Sequence, residues 1–138
     1  YVYLSVSQAV DLADSWRRWL LLAADLIAGL PDEAEDSDYE ALQDELDSRA
    51  RDLSFWLWAH KYLSMCFPDR LDQFHHPAEQ RSMLRMCGQI SPRPQDREPS
   101  PFLPAVRFVA MARELGVPMN HLCLTLEALF ESERGTAV

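Results

Sequence analysis

The feature that most constrains the fold is the spacing of the apolar residues, which is helical along nearly the whole chain. In the first segment Val6, Val10, Ala13, Leu20, Ala24 and Ile27 recur at intervals of three, four and seven. With 3.6 residues per turn, those steps return to one face, so the segment reads as a buried amphipathic helix. Trp16, Trp19 and Leu26 widen the stripe, and Gly29 with Pro31 ends it. The opening "YVYL" reads as a short extended lead-in.

A second helix is signalled by "SDYE", where Ser37 serves as cap and Glu40 as the third helical residue of a capping box. Tyr39, Leu42, Leu46, Ala50, Leu53, Leu57, His60 and Ser64 then share one face, with Trp56 and Leu63 beside it. This helix is expected to run to about Met65 and to stop before Pro68. Two long helices joined by a short acidic loop should form an antiparallel hairpin. A third helix follows, with Pro77 at its first position, Met83, Leu84 and Cys87 on its apolar side, and Gly88 as its stop. The stretch "GQISPRPQDREPSP" has four prolines and no apolar rhythm, so 88–101 reads as a linker. Ser100 and Pro101 open a fourth helix through Leu115, "GVPMN" turns the chain, and "HLCLTLEALFES" makes a fifth. The expectation is one all-α domain over 1–138, with a helical hairpin over 1–66 and smaller helices over 67–138.

Composition agrees with a packed domain. A chain of 138 residues buries roughly two thirds of its unfolded surface. With 48% hydrophobic and 25% charged residues it lies outside the disordered class. The net charge of −9 is concentrated: residues 32–52 hold ten acidic and two basic side chains, leaving the remainder nearly neutral. A confined acidic strip reads as a solvated helix face with its preceding loop. It leaves the basic stretch 60–97 free to meet an anion. Three cysteines, Cys66, Cys87 and Cys123, have no paired spacing, which argues for a reducing, cytoplasmic setting. The segment "RRWLLLAADLIAGLPDEAE" has some look of a secretory signal, but Asp25 interrupts it and it is too short and charged to span a bilayer. No membrane partner is expected. A chain beginning at Tyr1 is expected to belong to something longer.

The densest chemistry lies in "WLWAHKYLSMCFPDRLDQFHHP", residues 56–77. His60, Cys66, His75 and His76 suggest zinc at first sight. Structural zinc sites use two close ligand pairs, however, and adjacent histidines diverge in most backbones. No metal and no cofactor are expected. His60 is read as a helix-face residue, and His75 and His76 as caps of the third helix. Cys66 in "LSMCFP" has large apolar neighbours, which suits a packed small hydrophobe better than a nucleophile. No G-x-S-x-G, H-E-x-x-H or Gly-rich phosphate loop occurs, so no catalytic residue is assigned and the chain alone is not expected to be an enzyme. Tyr62 and Phe67 are expected in the core of a structural corner at His60–Asp69, with Lys61 exposed at its edge. Lys61, Arg70, Arg81 and Arg85, near His75 and His76, form the preferred partner-binding edge.

The segment "RFVAMARELGVPMNHLCLTLEAL" is helix-turn-helix-like, with Ala112, Gly116 and Leu122 at the packing positions. Its second helix offers Asn120, His121 and Thr125 against Glu127, Glu131 and Glu133, a poor set for phosphates and base edges. Nucleic acid is therefore the alternative partner.

From Trp58 to about Leu122 the chain also resembles a helical segment of McrB-type AAA+ restriction NTPases of bacterial defence. The matching positions are His60, Lys61, Tyr62, Phe67, Pro68, Asp69, Phe74, His75, Gln80 and Leu84. The NTPase motifs of those larger proteins are missing here. The resemblance implies a non-catalytic recognition or coupling part of such a system, whose partner is a protein or the remainder of a larger chain.

Overall fold

The computed structural model describes residues 3–50, 57–89 and 100–135, with side chains to 132. Among the described residues there are six helices and no strand. They are α1 (Val6–Ala28), α2 (Asp36–Arg49), α3 (Leu57–Cys66), α4 (Pro77–Met86), α5 (Ala105–Leu115) and α6 (Met119–Gly135). No helix among them is long and apolar enough to cross a membrane.

Helix α1 begins on a capping box. The Ser5 hydroxyl accepts from the Gln8 N–H, while the Gln8 side chain accepts from the Ser5 N–H. Of its 23 residues only Ala23 and Ile27 are buried. The expected stripe exists, but Val6, Val10 and Ala13 are exposed and only its C-terminal end reaches the core. Helix α2 starts two residues earlier than "SDYE" implied. Asp38, rather than Glu40, closes its first turn by accepting from the Glu35 N–H at 2.8 Å.

The single long helix expected from Ser37 to Met65 is not observed. Helix α2 ends at Arg49, because Ala50 leaves the helical region at φ −144° and ψ 43°. Residues 51–56, including Leu53 and Trp56, lie outside the described residues. Tyr39, Leu42, Leu46 and Ala50 are buried as expected, and so are His60 and Ser64, but Leu57 is exposed. Tyr62 is exposed as well, and Phe67 is only half-buried. With Ala59, His60, Leu63 and Ser64 facing inward, Tyr62 stands two residues, about 200°, from His60 and points away.

Past α3 the chain turns back. Helix α4 carries Pro77 at its start and is closed by Gly88 at φ 68°, which lets the Gln89 N–H donate to the Leu84 carbonyl. Residues 90–99 of the linker lie outside the described residues. The fourth expected helix starts late, at Ala105. Ser100 to Pro104 are instead a buried turn whose Phe102 is fully enclosed. One core cluster draws on both halves of the chain, with Ile27, Tyr39, Leu46 and Leu63 packed alongside Leu71, Phe74, Leu84 and Phe108.

Candidate functional site

Where α3 hands over to α4, four polar side chains meet inside the protein. Helix α3 turns His60 inward and α4 turns Gln80 inward, both fully buried, while the connecting loop supplies Asp72 and His75. Asp72 is also fully buried. Its Oδ1 accepts from the Phe74 N–H at 2.7 Å, a local Asx-type turn. Its Oδ2 accepts from Gln80 Nε2 at 2.9 Å, and the same amide donates to the Pro101 carbonyl at 2.8 Å. Gln80 thereby ties the corner to the buried turn before α5. The Phe102 ring stands edge-on to His60, with centroids 5.1 Å apart.

His60 Nδ1 and His75 Nδ1 lie 3.1 Å apart, so one ring donates and the other accepts. On its far side His60 Nε2 is 4.0 Å from Asp72 Oδ2 and has no hydrogen-bond partner among the described residues. Burial raises the Asp72 carboxyl to about 8, against the bonds from Gln80 and Phe74. Burial, with His75 as a second cause, lowers His60 to about 3. At neutral pH both are therefore largely uncharged, and the pair is a neutral contact rather than an ion pair. Burial, then the nearby Lys61 ammonium, lowers His75 too. His75 is half-buried, so it links the enclosed pair to solvent.

His60, Asp72 and Gln80 are each fully buried, and none of three surface grooves is lined by them. The surface grooves lie elsewhere: one between α1 and α3, one at the α5–α6 turn, and one between the start of α2 and α5. Burial pushes the Cys123 thiol up to about 12 and raises Cys87 as well. Cys66 is exposed, and the three thiols are free. Among the described residues no group of three or more His, Cys, Asp or Glu is placed to hold a metal ion.

The expected partner edge is only partly assembled. His76 caps α4, its Nδ1 accepting from the Ala78 N–H at 3.3 Å, as expected. His75 is not a cap; it faces His60. Lys61 is exposed and close enough to act on His75. Arg81 and Arg85 follow on α4, one half-buried and the other exposed. Arg70 does not join them. Its guanidinium donates to the Pro31 carbonyl and pairs with Asp32 at 2.7 Å, and its own carbonyl accepts from the Tyr39 hydroxyl at 2.6 Å. It is a clamp on the α1–α2 loop.

Asp72 escaped sequence reasoning because its partners are brought by tertiary contacts. The one local signal was the aspartate two residues before Phe74, the spacing of an Asx turn. No family model, curated protein or solved structure matches this chain.

Proposed function

We propose that the chain is a non-catalytic helical recognition or coupling module, working within a larger restriction-type defence NTPase system. The supporting observation is the use made of its chemistry-bearing residues. His60, Asp72 and Gln80 are buried together inside the corner, with the Gln80 amide bonded to Asp72. Four of the ten positions on which the McrB-type resemblance rests, His60, Phe74, Gln80 and Leu84, are buried as well, while Lys61, Tyr62, Pro68 and Asp69 are exposed. The buried positions specify a shape. What remains for a partner is the outer edge bearing Lys61, His76, Arg81 and Arg85.

The test is binding of the 138-residue chain to the purified product of its neighbouring gene, followed by calorimetry. Arg81→Glu with Arg85→Glu should weaken binding at least about tenfold while leaving the fold intact. Unchanged binding would remove the edge from the proposal.

A second reading, a nucleic-acid-binding helix-turn-helix, draws on α5 and α6. Gly116 at φ 64° makes the turn between them, and Ala112 and Leu122 are buried. Chemistry disfavours it. Thr125 Oγ1 donates to the His121 carbonyl in its own helix, and Glu127 and Glu131 share the exposed surface. DNA binding with a steep salt dependence, abolished by Asn120→Ala, His121→Ala and Thr125→Ala, would reverse this preference.

A further inference from the structure

The apolar seam of α1 is continuous, yet its own chain covers only half of it. Val6, Val10, Ala13, Arg17, Leu20, Ala24 and Ile27 follow at alternating steps of four and three. That is the spacing of a helix made to lie along another helix. At the C-terminal end the seam is closed, with Ile27 fully buried and Leu20 and Ala24 half-buried. At the N-terminal end it is bare, with Val6 83% and Val10 55% exposed. From the middle of the seam to its closed end runs a groove of about 590 Å³, walled by Ala13, Arg17, Leu20 and Ala24 from α1 and Trp58 and Tyr62 from α3. Trp16 and Trp58 bridge the two helices, their ring centroids 5.8 Å apart.

We propose that two copies of the chain associate through α1 in antiparallel fashion, each laying its bare half-seam into the other's α1–α3 groove. A two-fold axis at the level of Ser15 sets Val6 against Ala24 of the second copy and Val10 against Leu20 of the second copy. The same register sets Arg17 against Ala13 of the second copy. One register therefore pairs every seam position except Ile27, which its own chain already buries, the self-complementarity a two-fold interface requires.

Charge selects a second copy over an unrelated helix. Arg17 is the one charged residue in the seam, and Asp14 flanks it one turn earlier. Neither has an ion-pair partner among the described residues. In the antiparallel pair the small Ala13 of the second copy leaves room for the Arg17 side chain. Its guanidinium then falls beside Asp14 of the second copy, and symmetry repeats the contact. A shift along the seam would leave Arg17 among apolar side chains with no counter-charge, so this pair fixes register as well as orientation.

Sedimentation velocity of the 138-residue chain should show its mass rising with concentration to twice 15.9 kDa. Val10→Glu, on an exposed turn, should hold the chain monomeric with unchanged circular dichroism. Asp14→Lys and Arg17→Glu should each weaken self-association at least about tenfold by setting like charges together. Mixing these two variants sets the introduced lysine of one against the introduced glutamate of the other. The unaltered Arg17 and Asp14 form the second contact, so a mixed dimer should be restored. A chain monomeric at every concentration overturns the proposal, whether the groove is open or another protein covers it. A dimer indifferent to Val10→Glu, or no recovery on mixing, overturns it equally.

Discussion

The α3–α4 corner and the first half of α1 are equally suggestive as sequence, and the fold treats them in opposite ways. The corner takes polar residues and encloses His60, Asp72 and Gln80 completely, drawing them from α3, the connecting loop and α4. The first half of α1 takes apolar residues and leaves them in water. Burial in this protein follows from what surrounds a residue more than from its hydropathy. Asp72 is hidden because Gln80, Phe74 and His60 converge on it; Val6 is bare because no described element lies over it. The polar, enclosed region leaves only His60 Nε2 and Gln80 Oε1 without a hydrogen-bond partner among the described residues, whereas the apolar, open one leaves Val6, Val10 and Ala13 uncovered.

Removing a comparable apolar side chain from each region tests that contrast most severely. Phe74→Ala, from a ring 1% exposed and 5.1 Å from Phe108, should cost about 3–5 kcal/mol in denaturant titration. Phe67→Ala, half-buried, should cost clearly less. Next in size is Asp72→Ala, which strips the Phe74 N–H of its acceptor and Gln80 Nε2 of one of two. A loss of about 1–3 kcal/mol is expected from the unsatisfied donors. A neutral effect would mean that water or a shifted side chain already serves them.

The pH dependence sharpens the comparison further, because its sign is unusual. Asp72 is raised in the fold, so its contribution is complete below the unfolded value of 3.8 and is lost as pH climbs through about 8. His60 is lowered, so its contribution is complete above its unfolded value of 6.5 and is lost as pH falls through about 3. Between 3.8 and 6.5 the two slopes cancel: unfolding ionises the aspartate and protonates the histidine. Above 6.5 only Asp72 acts, and by about pH 8 the protein should lose about 2 kcal/mol of stability. Asp72→Asn, whatever its absolute stability, should lack that decline. Equal slopes for the two proteins would mean that Asp72 is already ionised in the folded chain. The smallest effects belong to exposed positions. Lys61→Ala, and Val10→Ala measured on the monomer, should each stay within about 0.5 kcal/mol by thermal denaturation.

The all-helical character was legible because several helices announce themselves locally. Pro77 opens α4, and Gly88 and Gly116 end helices at positive φ. The face of α3 was partly legible. His60 and Ser64 lie inward on the stripe counted from Tyr39, whereas Leu57, in the first turn of α3, is exposed, and Tyr62, about 200° from His60, points away from the core. Periodicity in α1 showed that a face exists without showing what lies against it. The corner's chemistry was half legible. His60 and His75 stood out as residue types, but the proximity of residues 60, 72, 75 and 80 is a product of the turn at Pro68. Arg70 misleads for a related reason, since its partners Pro31 and Asp32 lie far back in the chain.

Arg70 also bears on the order in which the molecule assembles. Its two ties to the α1–α2 loop span 39 and 38 residues, and the Tyr39 bond to its carbonyl spans 31. Helices α1 to α3 close bonds four residues apart and form on the order of a microsecond, whereas a loop of this length costs entropy that grows as the logarithm of its size. The clamp therefore sets late, once the helices have brought the two loops together. Its loss should quicken unfolding while refolding keeps its pace.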